Sequence, residues 1–166
     1  MTDSLESYKH LAAKQVLAGW LRRAAGAAGP DAYASWAGVT WRVNRPAPDF
    51  GVWEEYPLTT QLLRAGSVSA WDERGEAAPP TYRTLIGRDE PPLCIFDVAV
   101  QHKGLVTYAF EVVHQHPVTD TKRSILAALD VCTLVLSAEW IMRQVGPPRR
   151  LAVAEVLGLR ALFPGW

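Results

Sequence analysis

Two apolar runs around a short QHKG turn constrain the fold of this chain more than any other feature. The stretch reads CIFDVAVQHKGLVTYAFEVV, residues 94–113, and each run contains one carboxylate, Asp97 or Glu111. Alternating side chains on either side of a tight turn predict an antiparallel hairpin with strands at 94–101 and 106–113. An ionised carboxylate among Ile, Phe and Val is costly unless it is paired. Both acids therefore require a partner, a proton or a cation.

The register of this hairpin decides whether the two acids meet. A two-residue turn at 103–104 would place Asp97 opposite Phe110 and would mix charged with apolar side chains on both faces. A three-residue loop, 103–105, gives one continuous apolar face and places Asp97 opposite Glu111. We therefore predict the three-residue loop and a cross-strand pair of acids.

Two carboxylates that meet across a strand pair repel each other unless a cation or a proton lies between them. Their small neighbours, Ala99 and Ala109, leave room for an ion. An oxygen-lined site suits Mg²⁺ or Mn²⁺, which need one or two protein carboxylates together with water and substrate phosphate. Such an ion activates water and stabilises phosphoryl transfer. The alternative is structural: lysines or arginines from the flanking helices hold the acids, with Arg22, Arg64 or Arg123 as examples, and no chemistry follows.

The other segments predict one α/β domain. The chain has 166 residues, of which 49% are hydrophobic, and this is enough for a single core. Residue spacing and turn signals predict the following elements: a helix at 4–25, strands at GVTWRV and GVWEEYPLT, an excursion at 72–92, a helix in PVTDTKRSILAALD with Thr119 or Asp120 as N-cap, a buried strand VCTLVLS and a short helix AEWIMRQV.

This order of helix, three strands, helix and strand predicts an α/β fold with a mixed sheet flanked by helices. We expect a single domain over 1–166, with a core at about 5–142. The remaining segment, 147–166, contains an amphipathic stretch from 150 to 163 and is predicted to be a helical extension.

Charge and composition exclude several classes of function. Lysines and arginines together number 17, as do aspartates and glutamates, so no global field attracts nucleic acid. The polar N-terminus does not match a signal peptide, and no segment approaches the roughly 20 apolar residues that span a bilayer. We therefore expect no membrane partner. Cys94 and Cys132 have no metal-binding spacing and indicate reduced core residues of a cytoplasmic protein.

Four pieces of the sequence carry a family resemblance. They are YKHLAAKQVLAGWLR as an opening helix, EEYPL, FDVAV, and AFEVVHQHPVTDTKRSILAAL as a third strand and the helix after it. In this arrangement the chain resembles the PD-(D/E)xK, or restriction-endonuclease-like, nuclease superfamily, and within it the CoiA-like competence nuclease domain. The resemblance implies an αβββαβ core and hydrolysis of phosphodiester bonds.

The resemblance also implies a site for Mg²⁺ or Mn²⁺. Asp97 would be the central metal ligand, Glu111 the second and Glu55 the third, with the neighbouring Glu54 as the alternative to Glu55. The acid-x-Lys or acid-x-Gln step of the superfamily is where this chain departs from the pattern. Val113 stands where the lysine or glutamine is expected, and that residue normally positions or activates the attacking water.

Other basic residues are candidates for the missing role. Lys14 on the opening helix, Lys103 at the turn and Lys122 at the start of the next helix are the lysines considered. His10 precedes Lys14 by one helical turn, so the two residues share a face of the helix, which either covers the acid pair and contacts substrate or is an exposed polar stripe. His114 follows the third strand and is a candidate general base near neutral pH, as opposed to a solvated imidazole.

Three functions follow from these observations. The first is a metal-dependent nuclease that acts on nucleic acid, with DNA favoured. The second is a degenerate module that keeps the fold and binds nucleic acid or a protein partner, which Val113 supports. The third is an accessory protein that uses the fold as a scaffold. A homodimer is a further option that the sequence does not decide.

Overall fold

A computed structural model describes residues 3–26, 33–36, 39–42, 50–58, 94–102, 105–128 and 132–158. Within these ranges the elements are α1 (Asp3–Gly26), β1 (Tyr33–Trp36), β2 (Val39–Arg42), β3 (Phe50–Leu58), β4 (Cys94–His102), β5 (Leu105–Val113), α2 (Asp120–Ala128), β6 (Cys132–Ser137), α3 (Ala138–Arg143), β7 (Arg150–Ala152) and β8 (Glu155–Leu157). The excursion predicted at 72–92 lies outside the described residues. None of the described helices combines the length and apolar character needed to cross a bilayer.

The described strands form two sheets. The larger has the order β3-β4-β5-β6-β8, and the smaller has the order β2-β1-β7. In the larger sheet β3, β4 and β5 are antiparallel, β6 is parallel to β5, and β8 is antiparallel to β6. A parallel pair needs a crossover connection, and α2 lies in the one between β5 and β6. The predicted mixed sheet flanked by helices is confirmed.

Two hydrophobic clusters cover opposite faces of the larger sheet. The first packs α1 and α3 against residues such as Phe110 and Leu134. The second packs Leu126 of α2 against Ala109 and Val135. Since successive side chains of a strand point to opposite faces, α1 and α2 lie on opposite sides of the sheet. Side chains from β4 and β5 are therefore reached by one helix from each side.

The β4–β5 hairpin has the predicted central register but a different turn. Val98 pairs with Phe110, as predicted. The predicted three-residue loop is wrong, because His102 pairs with Leu105 and the register shifts next to Val100. The extra residue lies in a β-bulge within β5 instead of in the turn, and the bulge restores the apolar face that a two-residue connection would otherwise disrupt.

The predicted helical extension at the C-terminus is wrong where the structure describes it. Residues 150–157 form β7 and β8, and their buried side chains are Leu151, Val153 and Val156. Burial that alternates nearly every second residue, in a stretch rich in valine, favours strands over a helix of period 3.6. β7 pairs with β1 and β8 pairs with β6, so this segment connects the two sheets.

The N-cap of α2 fixes the position of the first turn of that helix. The backbone N–H of Lys122 donates to Thr119 Oγ1 at 3.3 Å. The backbone N–H of Arg123 donates to the Thr119 carbonyl at 2.8 Å. Of the two predicted caps, Thr119 therefore fills this role. The cap matters for the site because Lys122 points from this turn toward the sheet.

We expect Thr119→Ala to lower the free energy of unfolding by about 1 kcal/mol, because a helical N–H loses its acceptor. Urea denaturation measures this change. Ser124→Ala is the control, since Ser124 is exposed in the same helix, and its effect should stay within about 0.5 kcal/mol. Equal effects of the two substitutions would contradict the assignment of the cap.

Candidate active site

Acidic side chains from three neighbouring strands meet basic side chains from two helices. We refer to this group as the acid–lysine cluster, and its members are Glu55 of β3, Asp97 of β4, Glu111 of β5, His10 and Lys14 of α1, and Lys122 of α2. Asp97, Glu111 and Lys14 are among the few charged residues buried in the described part of the chain. Buried charges of both signs at one place indicate a built site, since each would be costly alone.

Asp97 lies where β4 and β5 stop pairing. The described ladder between these strands ends at Val98 on this side. Beyond it, the backbone N–H of Val112 donates to Asp97 Oδ2 at 2.8 Å. His10 Nε2 lies 3.3 Å from the same oxygen, and Lys14 Nζ lies 3.7 Å from Oδ1. The Asp97 carboxylate thus contacts both the sheet backbone and α1.

The surroundings of Asp97 favour its ionised form. Burial raises the pKa of this carboxyl group. The hydrogen bond with His10, the charge of Lys122, the N–H of Val112 and the charge of Lys14 outweigh burial, so the pKa lies below its ordinary value. The same hydrogen bond to Asp97 is the main reason that the pKa of His10 is raised. Asp97 therefore carries its negative charge at neutral pH.

Glu111 has the opposite environment. Its side chain is only 4% exposed, and Lys122 Nζ lies 2.5 Å from Oε2. Its other oxygen, Oε1, is buried and has no hydrogen-bond partner among the residues that the structure describes. Burial, followed by the charge of Asp97, raises the pKa of Glu111 to about 7, although the Lys122 ammonium group and the backbone N–H of Asp97 both act to lower it. Because buried polar atoms are nearly always satisfied, Oε1 is the atom of the cluster that calls for an explanation.

Glu55 reaches the cluster through an unusual backbone conformation. The register of β3 with β4 on either side of Glu55 places it opposite Asp97. Its φ is 52°, in the left-handed region that a residue other than glycine rarely adopts. Its carboxylate accepts a hydrogen bond from Lys14. Glu54 instead contacts Arg22 at 3.2 Å, so of the two acids proposed as third ligand, Glu55 is the one near Asp97.

Of the predicted site residues, Asp97, Glu111, Glu55 and Lys14 lie together. His114 does not join them through any hydrogen bond or ion pair in the described part of the chain, and its Nδ1 is buried without a partner. Sequence reasoning placed Lys122 only among several candidate lysines. Lys122 reaches Glu111 because of the side of the sheet that α2 covers. That side is decided by tertiary packing, so no local sequence pattern indicates it.

The two described arginines that were predicted as structural partners of the acids contact other carboxylates. Arg22 contacts Glu54, and Arg123 forms an ion pair with Glu155 of β8. Lys103 and Arg64 lie outside the described residues. Among the described residues, the basic side chains that contact Asp97 and Glu111 are those of His10, Lys14 and Lys122, so lysines of the flanking helices lie against the acids as the structural alternative predicts.

The donor set fits a hard cation with few protein ligands. No group of three or more His, Cys, Asp and Glu side chains is arranged to hold a metal ion among the residues that the structure describes. Asp97 and Glu111 supply only oxygen donors, and one of these, Glu111 Oε1, is buried without a hydrogen-bond partner in the described ranges. Mg²⁺ is commonly held by one or two carboxylates and completes its shell with water and substrate phosphate. The two acids match this pattern and not that of a full protein cage.

Comparison of the chain with protein-family models, with curated proteins and with solved structures finds no match. The acid–lysine cluster and the topology around it are therefore the observations from which a function has to be inferred.

Proposed function

We propose that the chain is a metal-dependent nuclease with a PD-(D/E)xK-like core, which hydrolyses phosphodiester bonds of nucleic acid, DNA foremost. The observation that carries this proposal is a pair of buried carboxylates on adjacent strands, Asp97 and Glu111, with one oxygen left unpartnered. Ion pairing alone does not account for that oxygen. The elements α1, β3, β4, β5, α2 and β6 follow one another in the order that the family resemblance implies, apart from β1 and β2 between α1 and β3, and β6 is parallel to β5.

Asp97 and Glu111 would hold Mg²⁺ or Mn²⁺, with Glu55 beside them. The ion would lower the pKa of a bound water molecule and would place positive charge next to the phosphate. Asp97 is already ionised before a cation binds, because its charge is stabilised by His10, Lys122, Val112 and Lys14. Glu111, with a pKa of about 7, has to release its proton before it coordinates a cation.

Lys122 takes the role that the lysine of the acid-x-Lys motif has in the superfamily. Val113, which occupies that position here, packs in the hydrophobic cluster under α2. Lys122 approaches from α2, and its ammonium group contacts Glu111. An ammonium group at this place orients the attacking water and stabilises the negative charge that develops on the phosphate.

A non-catalytic module is the second candidate, because the cluster is largely balanced in charge. Lys14 contacts Glu55 and Asp97, and Lys122 contacts Glu111. Buried ion pairs of this kind also occur in sites that do no chemistry. Such a module would keep the fold and bind nucleic acid, a protein partner or a second copy of the chain through another surface.

The deciding experiment is cleavage of end-labelled single- and double-stranded DNA and RNA by the purified chain. We expect cutting with Mg²⁺ or Mn²⁺ and none with a chelator in excess. The doubly substituted Asp97→Asn/Glu111→Gln protein is the matched control for contaminating nuclease, and it should be inactive. Circular dichroism confirms that this control is folded.

Two results would overturn the nuclease. One is equal cleavage by the doubly substituted protein, which would assign the activity to a contaminant. The other is no cleavage of any substrate by folded wild-type protein with either cation. The balanced cluster would then be structural, and the non-catalytic module would be the better description.

A further inference from the structure

We infer that Lys14 is a built-in counter-ion that occupies, in the cation-free protein, part of the place that a divalent cation takes between Glu55 and Asp97. Loading of the site therefore exchanges an ammonium group for the cation. This inference rests on the proposed metal site and specifies how that site is controlled. It makes Lys14 a competitor of the cation, in contrast to the catalytic role proposed for Lys122.

The position of the Lys14 ammonium group is the first support. It donates a hydrogen bond to Glu55 Oε1 and lies 3.7 Å from Asp97 Oδ1. The other oxygen of Asp97 accepts the Val112 N–H and lies against His10. Oδ1 is thus the Asp97 oxygen left for a divalent cation. The Lys14 ammonium group lies between this oxygen and the Glu55 carboxylate. The side chain of Lys14 is only 9% exposed, so it is committed to this place.

The conformation of Glu55 is the second support. Its left-handed φ of 52° is unfavourable for a glutamate within a strand. Such outliers persist where surrounding contacts hold them, and they concentrate at ligand sites. The side chain of Glu55 is 44% exposed, so solvent reaches the cluster from this side. A hydrated cation would enter here and meet Lys14 first.

The balance of charge is the third support. Glu55, Asp97 and Glu111 face two lysines and His10, so the cluster is close to neutral when it holds no cation. A divalent cation placed between the carboxylates repels an ammonium group that stays within a few ångströms. Glu111 Oε1 is a further oxygen donor for a cation, since the side chain is 4% exposed and this oxygen has no hydrogen-bond partner among the described residues.

The test is binding of Mn²⁺ alone, measured by the electron paramagnetic resonance signal of free Mn²⁺ at pH 8. We expect Lys14→Met to bind Mn²⁺ at least about tenfold more tightly than wild type, because a positive charge next to the site is removed. Lys14→Arg keeps the charge and should bind like wild type. Asp97→Asn added to Lys14→Met should abolish the gain, which locates the ion in the cluster.

A second measurement uses the wild-type protein and does not depend on the folding of a variant. Acetylation of Lys14 by acetic anhydride, followed by mass spectrometry, should become severalfold faster when Mn²⁺ is added, because the ammonium group is displaced into solvent. Lys9 is exposed on the same helix, and its acetylation should not change. Protection of Lys14 by Mn²⁺, or no change, would overturn the exchange.

The outcomes separate this inference from the proposed nuclease. Binding of Mn²⁺ by wild type with no gain in Lys14→Met overturns the inference and leaves the metal site standing. No binding by either protein overturns both proposals. Tighter binding by Lys14→Met, in a protein that cleaves no substrate, supports the exchange and argues against the nuclease.

Discussion

Replacement of Lys122 by methionine should lower the rate of Mg²⁺-dependent cleavage by about 10²-fold or more, the usual cost of losing a charged group that stabilises the transition state. The ammonium group of Lys122 contacts Glu111, and Val113 provides no cation on that strand. Single-turnover cleavage with enzyme in excess measures the chemical step. Lys9→Met removes an exposed lysine of α1 and should leave the rate nearly unchanged.

The same substitution should also destabilise the protein, since it leaves a buried carboxylate without its cation. We expect a loss of about 3 kcal/mol at pH 8, the range for breaking a buried ion pair. The loss should be smaller at pH 5, where Glu111 is protonated. In Lys122→Met/Glu111→Gln most of the stability should return, because no unpaired charge remains.

Stability and cleavage together distinguish the two roles of Lys122. If Lys122→Arg restores the stability but not the rate, the lysine acts on the reaction and not only on Glu111. If both recover, a general positive charge is sufficient. A rate for Lys122→Met equal to that of wild type would show that Lys122 only balances Glu111, and Lys14 would then be the lysine to test.

The central hairpin was predictable because its information is local. Alternation of apolar residues on both sides of QHKG defined β4, β5 and the pairing of Val98 with Phe110. The bulge in β5 was not predictable from the sequence. A two-residue connection with a bulge and a three-residue loop give the same pairing beyond the turn. The described pairs of this ladder end at Val98 and Phe110, so the cross-strand pairing of Asp97 with Glu111 stays a prediction.

Other features of the fold could not be predicted from the sequence, because they depend on contacts between residues that are distant along the chain. β1 is four residues long and pairs with β7, more than 100 residues further along the chain. The left-handed φ of Glu55 is not encoded by a glycine or an asparagine at that position. Which helix covers which acid follows from the crossover between β5 and β6, so the assignment of Lys14 to Asp97 and of Lys122 to Glu111 required the fold.

Stability of the cation-free wild-type protein should fall by about 3 kcal/mol between pH 5 and pH 8 because of Glu111. The pKa of this carboxyl group rises from an ordinary 4.5 to about 7 on folding, through burial and the charge of Asp97. Between these values the folded state keeps a proton that the unfolded state has lost. The contribution is therefore complete below pH 4.5 and disappears as the pH rises through about 7.

Urea denaturation at several pH values measures this slope, and Glu111→Gln is the matched variant because it cannot titrate. The slope should be clearly smaller in Glu111→Gln. His10, whose pKa is also raised on folding, adds a loss of the same sign in both proteins, so their difference isolates Glu111. The lowered pKa of Asp97 acts only in more acidic solution, where its stabilising charge is lost.

Mn²⁺ turns this slope into a test of the site itself. A cation that coordinates Glu111 binds only the ionised carboxylate, so it competes with the proton and stabilises the folded state more as the pH rises. Saturating Mn²⁺ should therefore flatten or reverse the fall in stability of the wild type and leave Glu111→Gln with a much smaller response. A fall that persists unchanged in Glu111→Gln would assign the titration to another group, and an identical Mn²⁺ response in both proteins would place the cation away from Glu111.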